Sequence, residues 1–258
     1  RDILHSGLRA HPGQVQSAKN MFDALQGSEI VSSHRHDDGV VQDAYSLRCS
    51  PQVAGAARDT LAHAERVAQI ELESVIDNPV VLANGEVTSN GNFHGAPVSH
   101  VLDFLAISST DLSSISERRT DRFLDTSRNR GLPGFLAYDP GVDSGMMIAQ
   151  YTQASLVSEN KRLSVPASVD SIPSSAMQED HVSMGWHAAR KLLKVVANLR
   201  RVIAIELVVA ARAIELREPL KPSPKSAEMI AGLRKVVSGF GPDEYMSEQL
   251  EKAEKLIS

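Results

Sequence analysis

The 258-residue sequence predicts an all-α protein, a bundle of long helices carrying one small β-hairpin. Three observations predict it. Apolar residues recur at three- and four-residue spacing through several long stretches, which is the period of an amphipathic helix. Two short β-branched runs flank an Asn-Gly pair, a strong short-range hairpin signal. Prolines and glycines cluster between the long stretches and divide the chain at helix-length intervals.

Over 52–73, Val53, Ala56, Ala57, Leu61, Ala64, Val67, Ala68 and Leu72 form an apolar face, with Arg58, Asp59, Glu65 and Arg66 between them. Asp77-Asn78-Pro79 cannot continue that helix. It leads to Val80-Val81-Leu82, the turn Ala83-Asn84-Gly85-Glu86, and Val87-Thr88. Gly91-Asn92-Phe93-His94-Gly95 follows as a loop, and Pro97 suits the first turn of a helix that runs to about residue 124, with Val98, Val101, Leu102, Leu105, Leu112 and Ile115 inside. A Gly/Pro-rich crossing over 131–141 separates it from a helix over 145–163. A Ser/Pro-rich link over 164–175 then reaches the longest helix, roughly 181–216. Its apolar residues, among them Leu192, Leu193, Val195, Val196, Leu199, Val202, Ile203, Ile205, Leu207 and Val208, cover more than one face. Such a helix is buried within a bundle or between subunits. Pro219, Pro222 and Pro224 end it, and shorter helices over 226–237 and 247–256 follow. No period of 20 to 50 residues recurs, so a repeat array is not expected. An isolated copy would expose large apolar patches, and oligomerisation is the expected consequence.

Composition narrows the partners. A hydrophobic fraction of 42% supplies a sizeable core. The formal charge of -5, with basic residues dispersed along the helices, gives no positive field for counterion release, which argues against nucleic acid or a membrane surface as partner. One cysteine, Cys49, cannot form an internal disulfide, and a reducing cytoplasm fits best. Arg1-Asp2-Ile3-Leu4-His5 lacks the pattern of a signal peptide, and Glu206 breaks the most apolar tract, 202–211, so no membrane span is expected. The start at Arg1 carries the expectation that an upstream part is removed or separately encoded.

Three constellations could carry chemistry. The sixteen residues over 170–185 place Gln178, Glu179, Asp180 and His181 at the mouth of the longest helix. Asp180 could cap that helix and Glu179 could complement its positive end; alternatively Glu179 could hold a cationic or hydrogen-bonding ring, with His181 titrating near neutrality. Gln42, Tyr45 and Arg48 recur at three-residue spacing, which would align an amide, a phenol and a guanidinium along one side of a helical turn. A guanidinium can bind a carboxylate bidentately, and a desolvated phenol beside a cation can act as acid or base; an ordinary surface turn with an Arg ion pair is the competing reading. In Gly91-Asn92-Phe93-His94-Gly95 the flanking glycines could present Phe93 to a cavity, or Phe93 could simply plug the core.

His34, Arg35, His36, Asp37 and Asp38 suggest metal ligands, but adjacent loop residues rarely converge on one ion and no spaced Cys or His set supports them. A solvated loop is the expectation, with no metal. No P-loop and no Gly-x-Ser-x-Gly elbow is present, and Cys49 reads as a packed thiol.

Together with Asp77-Asn78-Pro79, Ser116-Glu117-Arg118-Arg119, Leu132-Pro133-Gly134-Phe135-Leu136, Ser144-Gly145-Met146-Met147 and Ser158-Glu159-Asn160-Lys161, these stretches resemble, in this order and over almost the whole chain, the aromatic amino acid lyase family. Within it, Gln178-Glu179-Asp180-His181 resembles the histidine-specific branch, and His94 after Phe93 points the same way. The resemblance implies deamination of L-histidine to trans-urocanate and ammonia by an electrophilic methylideneimidazolone (MIO) made from an internal Ala-Ser-Gly. It implies that Arg48 holds the substrate carboxylate with help from Gln42, that Tyr45 is a catalytic or positioning phenol, that Phe93 lines the ring pocket, and that Glu179 holds the imidazole. It also implies a homotetramer whose long helices form a central bundle and whose sites draw on three subunits.

The sequence departs from the family pattern in one respect: it contains no Ala-Ser-Gly. Ala154-Ser155 precedes Leu156, Ala167-Ser168 precedes Val169, and Val237 precedes Ser238-Gly239. The expectation is therefore that residues 1–258 form the C-terminal helical-bundle portion of the lyase fold, with the MIO-bearing N-terminal half absent and no activity in this chain alone. Another MIO-dependent lyase or aminomutase is the second reading, and a non-catalytic helical assembly module the third.

Overall fold

The protein was analysed as a computed structural model, which describes residues 3–35, 39 and 41–257. After a π-helical turn at Ile3–Gly7 come α1 (Pro12–Leu25), α2 (Glu29–Ser33), α3 (Tyr45–Arg48), α4 (Ser50–Glu73), β1 (Val80–Val81), β2 (Val87–Thr88) and α5 (Ala96–Leu124). Then follow α6 (Met147–Leu163), α7 (Gly185–Glu215), α8 (Pro224–Leu233) and α9 (Met246–Leu256). The all-α bundle with its single small hairpin is as the periodicity predicts.

Helices α5 and α7 share the most extensive contact, with α4 against α5, α6 against both, and α9 against α7. Leu136, Met146, Ile205, Val208, Val209 and Leu233 form the main apolar core around the C-terminal half of α7. The interior elsewhere is polar, and its buried amide nitrogens are paired across helices. Asn198 Nδ2 donates to Asn160 Oδ1 (2.9 Å), Asn160 Nδ2 to Ser113 Oγ (3.0 Å) and Gln153 Nε2 to the Val202 carbonyl (2.9 Å), all from fully buried side chains. Such bonds are directional, so they fix the register of α5, α6 and α7 where apolar contact alone would let helices slide.

Helix α1 docks by close approach. A Cβ on Gly13 would lie 2.2 Å from the Gly55 carbonyl oxygen, and one on Gly55 would lie 2.4 Å from the Gln14 nitrogen. Asp59 Oδ1 accepts from the Gly13 N–H (2.8 Å), one of the donors a helix start leaves unpaired.

Three expectations need correction. The longest helix begins at Gly185, four residues after His181, with Met184 as a cap residue that offers no side-chain bond; Asp180 is therefore not its cap. Only Tyr45 and Arg48 of the Gln42 triad are helical, Gln42 lying in a bend ahead of α3. The penultimate helix starts at Pro224, with Ser223 Oγ accepting from the Ser226 N–H, and ends at Leu233. No helix among the described residues is long and apolar enough to cross a membrane.

Candidate active site

The Phe93 loop is fastened from behind by the hairpin stem. Strands β1 and β2 pair antiparallel, Val80 opposite Thr88 and Val81 opposite Val87, and Gly85 takes φ 84° in the turn, a conformation that suits glycine. Asn78 Oδ1 accepts from Ser89 Oγ (3.1 Å) and the Asn90 N–H (3.0 Å), Asn90 Nδ2 donates to the Asp77 carbonyl (2.9 Å), and Asn90 Oδ1 accepts from the Asn92 N–H (2.8 Å). Asp77-Asn78 thus ties the hairpin exit to its entry. Phe93, 49% exposed, stands on the loop so held; it does not plug the core.

The Glu179 loop is fastened at four points. Asp103 on α5, 1% exposed, accepts from the Ser168 N–H (2.7 Å) and from Lys191 Nζ (2.8 Å). Burial pushes the Asp103 carboxyl up, but the hydrogen bonds from Lys191 and Ser168 outweigh it and hold the group below the ordinary aspartate range. Ser171 Oγ accepts from the Val182 N–H (2.8 Å). Ser174 and Glu179 form an antiparallel bridge, and Ser174 Oγ donates to Glu179 Oε2 (3.2 Å). Between them Ser175, Ala176 and Met177 all take positive φ, 50°, 53° and 73°. Three consecutive non-glycine residues in that region cost backbone energy that surrounding bonds must offset. The fourth fastening is His181, whose Nδ1 lies 3.3 Å from His94 Nε2 on the Phe93 loop.

Arg48 and Tyr45 occupy a different place. The Arg48 guanidinium lies 5.1 Å from the Tyr45 ring centroid, a cation–π contact, and its Nε donates to the Asp43 carbonyl (2.9 Å). No carboxylate pairs with Arg48 among the described residues, so the ion pair of the competing reading is not formed there. Tyr45 is 70% exposed. Just beyond α3, Ser50 Oγ accepts from Arg119 Nη1 (3.1 Å), and Arg119 is held bidentately by Glu206 of α7.

One chain thus brings together, through His94 and His181, the loops that carry Phe93 and Glu179, and places Tyr45 and Arg48 elsewhere. Loops 91–95 and 168–184 meet at the N-terminal end of α5, whereas α3 lies beside Arg119 near its other end. The rise along α5 from Ala96 to Arg119 is about 35 Å at 1.5 Å per residue. A cleft of about 660 Å³ between α6, α7 and α9 includes none of these residues.

His34 bonds through Nδ1 with Arg130 Nη1 (2.7 Å), while His36, Asp37 and Asp38 lie outside the described residues. Among the described residues no group of three or more His, Cys, Asp or Glu side chains could hold a metal ion. Cys49 is half-buried between α3 and α4. Sequence reasoning missed the supports Asp103, Lys191 and Ser171. It read Glu206 only as an interruption, although a carboxylate inside an apolar helix is itself a sign of a buried pair.

Comparison with known proteins gives one consistent answer. Residues 2–235 match the aromatic amino acid lyase family. A histidine ammonia-lyase from Streptomyces avermitilis is 64% identical over 255 residues, covering 98% of this chain and 50% of that protein. The crystal structure of histidine ammonia-lyase from Trypanosoma cruzi superposes with a TM-score of 0.88 at 40% identity, over 97% of this chain and 47% of that one. A tyrosine aminomutase from Streptomyces globisporus gives a TM-score of 0.90 at 35% identity, over 100% of this chain and 52% of that one. The chain spans about half the length of the curated relatives it matches.

Proposed function

The chain belongs to the aromatic amino acid lyase family, and from that premise we propose that it is the C-terminal, substrate-binding portion of a histidine ammonia-lyase, converting L-histidine to trans-urocanate and ammonia once joined to the half that carries the MIO. The observation that carries this reading is the meeting of the Phe93 and Glu179 loops. A π face and a carboxylate on one rim are what an imidazole needs, the ring facing the one and an N–H bonded to the other.

Arg48 presents its free outer nitrogens to the substrate carboxylate, and Gln42 adds an amide from the bend ahead of it. Tyr45, beside that cation, supplies a phenol that can bond to or exchange a proton with the substrate. With no Ala-Ser-Gly, this chain cannot form the prosthetic group, but its unpaired guanidinium and its carboxylate suit the two ends of a histidine bound against one. The MIO supplies an electrophile that helps a poor leaving group depart. The chain's own contribution is to orient the amino acid and exclude water. It cannot exclude water alone, because Tyr45 and Phe93 are 70% and 49% exposed. The reading therefore includes further copies of the chain, a homotetramer in the cytoplasm, covering the site.

The test joins this chain to the complementary half of the S. avermitilis relative and follows urocanate by its near-ultraviolet absorbance. Glu179→Ala lowers kcat/KM for histidine by at least about 30-fold, the kinetic equivalent of one charge-assisted hydrogen bond, with little change in thermal stability. Equal turnover of tyrosine and histidine would favour the aminomutase-like alternative, and an unchanged rate in Glu179→Ala would remove the imidazole contact.

A further inference from the structure

His94 and His181 are 87 residues apart in sequence, yet His94 Nε2 and His181 Nδ1 lie 3.3 Å apart. Their ring centroids are 5.3 Å apart and their planes only 23° from parallel. Because the centroids are so much farther apart than the facing nitrogens, the two rings meet edge to edge and close to coplanar. That is the geometry of an N–H···N bond, whereas a face-to-face stack would bring the centroids nearly as close as the atoms. A neutral imidazole carries one N–H and one bare nitrogen. The bond forms when the two rings take matching tautomers: with both protons on Nε2 His94 donates to His181, and with both on Nδ1 His181 donates to His94.

The place of this bond matters more than its strength. Phe93 directly precedes His94, and Glu179 stands two residues before His181. The Phe93 loop is fastened to the hairpin stem and the Glu179 loop to itself by the bonds described above. Where the two loops face each other, Gly95 sits so close that a Cβ on it would lie 3.1 Å from Ser183 Oγ, and the imidazole pair supplies the side-chain hydrogen bond across the gap.

We propose that His94 and His181 are positioning residues, a two-imidazole bridge that sets the spacing between Phe93 and Glu179 and thereby the width of the slot that receives the substrate ring. The proposal rests on the role given above to Phe93 and Glu179. A bridge of fixed length favours a flat five-membered ring with an N–H at its edge over a longer phenol. It acts on ring binding in the ground state and the transition state alike, so its loss falls on KM more than on kcat.

The test uses the joined enzyme. His94→Ala and His181→Ala each raise KM for histidine about tenfold, the equivalent of one net hydrogen bond, and change kcat about twofold or less. The double variant is no worse than either single one, because both remove the same bond. His94→Gln combined with His181→Asn keeps a donor and an acceptor at the ε and δ positions and returns KM to within about threefold of the parent. A merely structural role would lower the melting temperature without separating KM from kcat and would not be rescued by amides.

A second readout needs no activity. In the 258-residue chain, the nitrogen-15 shift of His181 Nδ1 moves on His94→Gln, and that of His94 Nε2 moves on His181→Asn. Additive effects on KM, unchanged KM in both alanine variants, or unmoved nitrogen shifts overturn the bridge. If Glu179→Ala and Phe93→Ala leave KM for histidine unchanged while the nitrogen shifts still move, the ring-slot reading fails and the bridge itself stands.

Discussion

Asp103 is almost completely buried, and its charge is tolerated because two groups donate to it, Lys191 Nζ and the Ser168 N–H, while Lys191 also donates to the Val165 carbonyl. Removing one partner of such a pair leaves the other uncompensated, so Asp103→Ala is expected to cost roughly 3–5 kcal/mol in a denaturant titration. The carboxyl is held below its usual range in the folded chain. Its contribution to stability is therefore fully present above the unfolded aspartate value and is lost as pH falls through the lower folded one. Stability measured against pH should fall more steeply on the acid side in the parent than in Asp103→Asn, which has no proton to take up; parallel curves would show that the pair is not the origin of the slope. Arg48 makes the complementary case on an exposed surface. Arg48→Lys keeps the charge but gives up the planar fork, and in the joined enzyme KM for histidine should rise about tenfold, the equivalent of one net hydrogen bond.

Helix α1 and helix α4 touch through glycine at both sides of the contact. The clash distances at Gly13 and Gly55 are to backbone atoms, which cannot swing aside as a flexible side chain can. Gly13→Ala and Gly55→Ala should each destabilise by about 1–3 kcal/mol, the usual cost of overpacking, even though alanine is the better helix former. Thermal melts that rise or stay level would refute the close approach. This contact also explains what the sequence conceals. Helices α4 to α7 were legible because apolar residues recur along them, and the hairpin because Asn84-Gly85 demands its turn. Helix α1 carries Val15, Ala18, Phe22 and Leu25 at helical spacing, but the residues it buries are Gly13, Gln14 and Ser17, small and polar, so its docking face leaves no apolar signal to read. The start of α7 was misplaced for a related reason: Gln178 to His181 look like a helix mouth, but the hydrogen bonds that Ser171 Oγ accepts from the Val182 N–H and Ser174 Oγ donates to Glu179 hold that stretch as a loop. Phe93, Glu179, Tyr45 and Arg48 could be picked out from wording and spacing. Their separation along α5 could not, because it depends on how α3 and the loop over 168–184 dock in three dimensions.

At the scale of the molecule, the points where the two groups of candidate site residues dock, Ala96 to Asp103 for one and Arg119 for the other, stand about 24–35 Å apart along α5, whereas one amino acid is only a few ångströms long. If both groups serve one substrate, separate copies must bring them together. The exposed face of α7 offers a surface for that: Trp186 and Leu193, 78% and 74% exposed, lie seven residues apart on one stripe. Trp186→Glu together with Leu193→Glu should shift the sedimentation coefficient of the chain toward that of a monomer without loss of helical circular dichroism. A parent chain that is already monomeric would count against assembly through this face. The stronger test separates sharing from mere association. In the joined enzyme, Arg48→Ala and Glu179→Ala each impair a different end of α5, and neither alone leaves an intact site. When the two variants are unfolded, mixed in equal amounts and reassembled, a site that takes Arg48 from one copy and Glu179 from another is intact in about one case in four by random assortment within a symmetric oligomer. Urocanate production should then recover to about a quarter of the parent rate. If both residues of a site come from the same copy, every site in the mixture carries one defect or the other, and activity stays at the level of the separate variants.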